Sequence, residues 1–445
     1  MEDANAKDGD TRRVQDPHSG AFCVWTITAA FCTYFCMYGF RKPFTAGTYS
    51  DTMLGGVDYK TVLVIAQVLG YTLSKFVGIK VISEIAAAHR AKAIAVLIGV
   101  AELALVVFGL VPAPWNFPAL FLNGLSLGMV FGLVLGYLEG RRLTEALTAG
   151  LCASFVLSSG VVKSVGRYLV LDLQVSEYWM PALTGLIFAP PLCVSIWMLT
   201  RIPPPNPQDI EHRTERLPLT RDERWQFFRR HAVGLILLIA VYIGLTTLRS
   251  VRDDFAVEIW EDLGEPNRPA VFTQTETLVM FAVVALNAAA ILINRNRAAF
   301  VMSLALVAGG FGLVTLSSLL QSGGAIGPFT FMVLSGIGLY VPYVAFHTTV
   351  FERLIAASRD KANLGFLMYL ADATGYLGYI VVMLSRTFFG ARENMLGFFH
   401  TMSYAVSAGS IAAVLLACVW FVKRLPHDSS NPPPHEETAE PGSST

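Results

Sequence analysis

The sequence has few charged residues for its length. Of its 445 residues, 15% are charged and 54% are hydrophobic. This balance excludes an ordinary soluble protein of two or three domains. Acidic and basic residues number 33 each, so no excess of positive charge indicates a nucleic-acid partner. The composition is typical of a membrane protein.

Cysteine is also scarce, and the six cysteines all lie within apolar runs. Such positions disfavour a disulfide framework and a zinc site. The glycine-rich strings also lie in apolar segments, without the strand, lysine and hydroxyl context of a phosphate-binding loop. We therefore expect no cofactor and no enzymatic activity. The first apolar run lacks a small-residue cleavage site, so we expect it to remain as a membrane anchor.

Long apolar segments are what the sequence has in abundance. A bilayer core of about 30 Å requires roughly 20 apolar residues per helix, and twelve windows meet that length. Strands are far shorter, so the pattern predicts helices. The expected spans are Ala21–Phe40, Thr61–Lys80, Ala93–Val111, Ala119–Leu138, Ala146–Val170, Tyr178–Thr200, Ala232–Leu248, Phe272–Ile293, Ala298–Leu320, Pro328–His347, Leu364–Leu384 and Thr401–Val422.

Basic residues are unevenly distributed among the connecting segments. With a cytoplasmic N-terminus, most Lys and Arg outside the spans fall on the cytoplasmic side. This predicts a multi-pass protein of the cell (inner) membrane, a monomer in the lipid bilayer, with both termini in the cytoplasm. The predicted fold class is an all-α membrane protein with twelve transmembrane helices in two pseudo-symmetric six-helix halves.

The longest cytoplasmic segment divides the twelve spans into six and six, which suggests an internal repeat. Its second part, Thr220–His231, has a capping pattern followed by mixed aromatic and basic residues, and predicts an amphipathic helix at the membrane surface. The expected organisation is a disordered tail (1–19), a six-helix bundle (20–200), a linker (201–231), a second bundle (232–424) and a disordered tail (425–445).

Ionisable residues inside membrane spans are costly and are candidates for function by default. They include Lys75, Glu102, Lys163, Arg167 and Asp372. Lys163 and Arg167 stand at positions i and i+4, so they share one helix face. They either add positive charge to a central cavity or pair with acids of other helices. Glu102 is either a proton-coupling carboxylate or a buried acid with a hydrogen-bonding neighbour.

Two arginines occupy corresponding places in the two halves. Arg41 ends the first span, next to Lys42, and Arg249 follows Arg41 by 208 positions, at the end of the seventh span. Two guanidinium groups that approach from opposite halves can grip one phosphate or carboxylate. The alternatives are that Arg41 extends to the lipid headgroups, or that Arg249 pairs with Asp253 or Asp254.

Three strings resemble one family of transporters. Residues Tyr38–Phe44 and Gly70–Phe76, and the pair Leu248-Arg249 followed by Asp253, resemble motifs of the organophosphate:phosphate antiporters, a branch of the major facilitator superfamily. The resemblance implies an alternating-access transporter in which Arg41 and Arg249 bind the phosphate of a small anionic solute. It also implies that Lys75 adds positive potential near the site.

The same resemblance places span 11 beside span 2, where Lys75 and Asp372 could form a salt bridge that closes one conformation. The chain departs from the family in two places. The loop after span 2 lacks the usual Asp-Arg pair, and Ser158-Ser159-Gly160 stands where the antiporters have a histidine. These departures indicate a divergent branch. A proton-coupled carrier of another solute that uses Glu102 and Asp372, and a non-transporting membrane sensor, are the alternatives.

Overall fold

The computed structural model describes residues 20–138, 144–203, 221–265, 268–291, 293, 295–358, 364–388 and 394–425. The tail expected at 1–19, most of the tail expected at 425–445 and much of the expected linker lie outside these residues. In the described residues, helices account for nearly all regular structure. A short antiparallel hairpin, whose strands Met53–Leu54 and Val57–Asp58 have two residues each, precedes the second span.

The N-terminal half contains six spans, numbered here in chain order. Spans 1 to 6 are Gly20–Arg41, Tyr59–Glu84, Ala87–Leu110, Phe117–Leu127 with Val130–Leu138, Thr144–Leu171, and Met180–Thr200.

The C-terminal half repeats this arrangement. Spans 7 to 12 are Arg221–Asp254, Ala270–Ile291, Asn296–Ser322, Pro328–Ala345 continuing through Phe346–Val350 to Phe351–Ser358, Leu364–Phe388, and Met395–Val422. A short helix, Ala256–Asp262, follows span 7.

Several spans begin where local chemistry favours a helix start. Pro328 occupies the first turn of span 10, where its missing N–H would have no helical partner in any case. Asn394 caps span 12, because its side chain accepts a hydrogen bond from the Gly397 N–H at 2.9 Å. Such a cap satisfies one of the free N–H groups at a helix end.

Eleven of the described helices are long and apolar enough to cross a membrane. The remaining predicted span corresponds to span 5, a 28-residue helix that packs against spans 1 and 8. The chain is an integral multi-pass membrane protein, and the predicted all-α fold class is confirmed.

The helix expected to lie on the membrane surface at Thr220–His231 requires correction. Residues from Arg221 onward form the beginning of span 7, which runs unbroken to Asp254. This helix contains no proline and no two adjacent glycines. The amphipathic segment therefore continues directly into the apolar part of span 7. Phe227 is buried, and His231 contacts the rings of Trp420 and Phe421 in span 12.

The two halves meet through two pairs of helices. Span 2 packs against span 11, and span 5 packs against span 8. The second contact is close because position 160 is glycine: a Cβ there would lie 2.5 Å from the Phe272 carbonyl oxygen and 2.7 Å from the Glu276 Cβ. Small residues allow helix backbones to approach closely in membranes.

Candidate functional site

Span 1 ends inside the bundle rather than at its surface. After Arg41, the buried turn Pro43–Ala46 replaces the α-helix, so carbonyl groups near the helix end need other partners. The Gln67 side-chain amide donates to the Arg41 carbonyl at 2.5 Å, and Asn123 donates to the Phe40 carbonyl at 2.9 Å. These amides from spans 2 and 4 hold Arg41 deep in the protein.

The Arg41 side chain is 3% exposed and lies among tyrosines. Its guanidinium carbon is 3.7 Å from the ring centre of Tyr71, 5.6 Å from that of Tyr38 and 5.9 Å from that of Tyr376. Its Nε has no hydrogen-bond partner, and it forms no ion pair with an acid of the described residues. The alternative in which Arg41 extends to the lipid headgroups is therefore wrong.

Arg249 has the same kind of environment in the other half. It is 5% exposed, and its guanidinium carbon lies 4.3 Å from the ring centre of Tyr343 and 6.0 Å from that of Tyr340. Among the described residues it has no acidic partner. The alternative pairing with Asp253 or Asp254 is absent because lysines occupy those carboxylates.

The two arginines share neighbours. The charges of both guanidinium groups act on the phenols of Tyr38 and Tyr376, which come from spans 1 and 11. The stacking of cations on tyrosine faces stabilises them without neutralising their charge. Two buried, unneutralised guanidinium groups surrounded by phenol hydroxyls form an environment suited to an anion.

An ion-pair cluster, defined here as Lys42, Lys163, Asp253 and Asp254, lies directly beyond the arginines. Lys42 Nζ is 2.8 Å from Asp253 Oδ2 and also contacts Asp254. Lys163 Nζ is 2.5 Å from Asp253 Oδ1. The Tyr379 hydroxyl donates to Asp254 at 3.0 Å. Both lysines belong to the N-terminal half and both aspartates to span 7, so the cluster joins the two halves.

A second cross-half ion pair lies on the opposite side of the arginines. Lys75 of span 2 donates to Asp372 of span 11, and the Tyr242 hydroxyl donates to the same carboxylate. His347 Nε2 lies 3.8 Å from Asp372. The salt bridge expected between Lys75 and Asp372 is therefore present, and its role in gating stays a prediction.

Two more cross-half contacts surround the ion-pair cluster. Lys60 Nζ lies 2.6 Å from Glu258 in the short Ala256–Asp262 helix and donates to the Thr45 carbonyl at 2.9 Å. Burial raises the pKa of Glu258, although Lys60 acts in the opposite direction. Arg167 lies 3.8 Å from Glu261, so it pairs with an acid of the other half instead of joining Arg41.

Glu102 is not brought to the arginines. It lies in span 3 and faces span 6, where a Cβ on Gly185 would come within 2.1 Å of its Oε2. Neither carboxylate oxygen has a hydrogen-bond partner, so the expected hydrogen-bonding neighbour is absent among the described residues. Its proposed coupling role stays a prediction.

Sequence reasoning missed several residues of this region. Tyr376, Tyr242 and Tyr379 gave no signal, because tyrosines in spans more often serve packing. Glu276 could have been found, since it is an ionisable residue within the eighth predicted span. Lys60 lies just outside the predicted span Thr61–Lys80, but in the structure it is in the first turn of span 2 and is fully buried.

The fold is shared with solved transporters. The chain is similar to the D-xylose-proton symporter, with a TM-score of 0.60, 12% identity, and coverage of 91% of this chain and 97% of that one. It is similar to a mutant of the nucleoside transporter NupG, with a TM-score of 0.58, 13% identity and coverage of 90% and 99%.

A third similar structure is the POT family transporter PepTSo, with a TM-score of 0.58, 12% identity and coverage of 90% and 98%. These similarities show that the chain has the major facilitator fold. No curated protein sequence matches it. A family of unknown function, DUF5690, matches residues 43–424, and the chain belongs to that family.

Proposed function

We propose that this protein is a secondary active transporter that moves a small anionic organic solute across the cell membrane by alternating access, as a monomer with both termini in the cytoplasm. The observation that carries the proposal is the pair Arg41 and Arg249, buried in opposite halves with no acidic partner among the described residues. A transporter site at the interface of two halves requires groups from both.

The balance of buried charges favours an anion as the solute. Lys42 and Lys163 are compensated by Asp253 and Asp254, and Lys75 is compensated by its own partner. Only the two arginines carry uncompensated charge in this region of the described structure. A buried charge without a counterion is costly, and one phosphate monoester carries a charge of about −1.5 to −2, which would balance both groups.

The arrangement of ion pairs supports alternating access. The ion-pair cluster follows Arg41 and Arg249 along spans 1 and 7, whereas Lys75 lies one turn beyond Tyr71 in the opposite direction. Both sets of contacts cross between the halves, one on each side of the arginines. Breaking one set while keeping the other would open the site to one side of the membrane only, as rigid-body movement of two halves requires.

The test is exchange in proteoliposomes preloaded with inorganic phosphate. The resemblance to the organophosphate antiporters selects glycerol 3-phosphate and hexose phosphates as the first labelled solutes. We expect exchange by the unmodified protein and loss of exchange in Arg41→Ala and in Arg249→Ala. Arg424→Ala is a matched control, because Arg424 stacks on Trp420 at 4.2 Å but is exposed at the end of span 12.

Unchanged exchange in both single variants, Arg41→Ala and Arg249→Ala, would contradict the proposal. Solute binding without accumulation in the vesicles would instead favour a membrane sensor of the same fold. A solute taken up only under a proton gradient, without phosphate exchange, would favour a proton-coupled carrier.

A further inference from the structure

A small polar cavity lies where spans 5, 7 and 8 meet. Its lining includes Lys163, Asp253, Trp260, Thr275 and Glu276. The cavity has room for about one water molecule. It is separate from the aromatic surroundings of Arg41 and Arg249, and it contains a carboxylate from each of two neighbouring spans.

Two buried polar groups of this cavity lack hydrogen-bond partners among the residues that the structure describes. Glu276 is 8% exposed; its Oε1 accepts from Arg252 Nη1 at 2.9 Å, whereas its Oε2 has no hydrogen-bond partner. The indole N–H of Trp260, which is 2% exposed, also has none. The Trp260 N–H can donate a hydrogen bond to a water in this cavity, and Glu276 Oε2 can accept one from it. Such a water can carry a proton to or from the Glu276 carboxylate.

The charges that face Glu276 come from several elements. Arg252 and Asp253 lie on span 7, Lys163 on span 5, and the phenol of Tyr340 on span 10. Lys42 also contacts Asp253 and Asp254, so three acids (Asp253, Asp254 and Glu276) are balanced by three bases (Lys42, Lys163 and Arg252). Both lysines belong to the N-terminal half, and Lys163 contacts Asp253 at 2.5 Å.

Separation of the halves on this side would change that balance. Lys163 would leave with span 5, and Asp253 would also lose its contact with Lys42. Arg252 would stay, since it is held by the Met332 carbonyl at 2.7 Å within the C-terminal half. Asp253 and Glu276 would then share the guanidinium group of Arg252, and Asp254 would also lose Lys42. Carboxylates that share a site favour the uptake of one proton between them.

We propose that Asp253 and Glu276 form a proton-binding site that takes up one proton from water when the halves separate and Lys163 leaves, and that returns it to water when Lys163 comes back. Only an O–H bond to a carboxylate oxygen forms and breaks. The proton and the lysine ammonium thus alternate as the cation between the two acids. This inference adds a proton-binding step to the transport cycle of the proposed anion exchanger, and it rests on the alternating access proposed above.

The test measures opening directly and needs no solute. Ala256 lines the cavity and is buried, so the thiol of Ala256→Cys reacts with a maleimide only when the halves separate. Its labelling rate is divided by that of Asp51→Cys, an exposed position in the loop between spans 1 and 2, which corrects for the pH dependence of thiol reactivity. We expect this ratio to rise as pH falls from about 8 to about 5, by up to about tenfold per pH unit, the limit for one linked proton.

In the Ala256→Cys background, Glu276→Gln should give a high ratio that no longer depends on pH, because the amide imitates the protonated acid. Asp253→Asn should do the same, and it serves if the first variant does not fold. Glu102→Gln is the matched control, since Glu102 is another membrane carboxylate without hydrogen-bond partners among the described residues, and it should keep the pH response.

A pH response that persists in Glu276→Gln or Asp253→Asn overturns the proposal, as does its loss in Glu102→Gln. Failure of anion exchange would leave this result intact, because labelling requires no anion. The proposed solute and the proposed proton site therefore fail or succeed separately.

Discussion

Arg41 and Arg249 lie in opposite halves of the protein, and each stacks on a tyrosine ring instead of pairing with a carboxylate. Neighbouring bases behave differently. Lys42, which follows Arg41 directly, contacts two aspartates of the other half. The lysines that join helices of the two halves are neutralised by aspartates, whereas these two arginines lie among tyrosine rings and keep their charge. That contrast is the basis of the binding role that we propose for the two arginines.

The first prediction concerns the shape of the guanidinium group. Arg41→Lys and Arg249→Lys retain the charge but lose the planar fork that binds phosphate or carboxylate through two hydrogen bonds. Loss of one charged hydrogen bond costs about 1.5–3 kcal/mol, so each variant should bind the transported anion roughly ten- to a hundredfold more weakly. Calorimetric titration of the purified protein measures this change.

Arg424→Lys is the control for that titration, because Arg424 is exposed and stacks on Trp420 beside His231, far along span 7 from Arg249. Its affinity should match that of the unmodified protein. Unchanged affinity in both Arg41→Lys and Arg249→Lys would mean that positive potential alone holds the anion, and that no fork-like contact exists.

The spans could be predicted from sequence because the thickness of the membrane fixes the length of each spanning helix. That length is visible in the sequence as an unbroken run of apolar residues. The depth of Arg41 could not be derived in the same way. It depends on where the helix gives way to the Pro43–Ala46 turn, and on amides at Gln67 and Asn123 that are distant in sequence. Only their convergence shows that Arg41 does not reach the membrane surface.

Ion-pair partners were predictable only where topology placed two helices together. Lys75 and Asp372 could be linked because spans 2 and 11 adjoin in the fold implied by the resemblance, and their contact is present. Lys163 instead pairs with Asp253, an acid that sequence proximity suggested for Arg249. The direction in which each side chain points decides which acid pairs with which base. Spacing along the sequence does not determine that direction relative to another helix.

The second prediction tests the Lys75–Asp372 pair by a double-mutant cycle. Lys75→Met and Asp372→Leu each leave a buried charge without its counterion, which costs about 3–5 kcal/mol. The double variant leaves neither charge, so its free energy of unfolding should be closer to that of the unmodified protein than either single variant is. Denaturant unfolding in detergent micelles gives the four values.

Additive losses in that cycle would show that the two side chains do not interact energetically. The remaining contacts of Asp372, from Tyr242 and His347, would then account for its position.

The third prediction concerns the crossing of spans 2 and 4, which carries the amides that support Arg41. A Cβ on Gly70 would lie 2.0 Å from the Phe121 carbonyl oxygen, and a Cβ on Gly124 would lie 2.0 Å from that of Gln67. Backbone atoms cannot move aside as a side chain can, so Gly70→Ala should destabilise the protein by about 1–3 kcal/mol. It should also weaken anion binding, since Gln67 would shift.

Gly99→Ala is the matched control for this substitution. Gly99 lies within a span, and a Cβ there would meet no atom within 4 Å, so we expect unchanged or slightly higher stability. Thermal unfolding of both variants in the same detergent distinguishes the effect of the close crossing from a general effect of alanine. Equal midpoints would contradict the close approach of spans 2 and 4.

The last prediction ranks the contacts that join the halves beyond the arginines. Lys42→Gln leaves Asp253 and Asp254, both buried, without one of their cations, whereas Lys60→Gln leaves Glu258, whose side chain is 23% exposed and can be hydrated. Because an uncompensated charge costs more when it is buried, Lys42→Gln should favour separation of the halves more strongly. In the Ala256→Cys background, maleimide labelling should therefore rise more for Lys42→Gln than for Lys60→Gln. The reverse order would place the main closing contact at Lys60 and Glu258, and would contradict the ranking by burial.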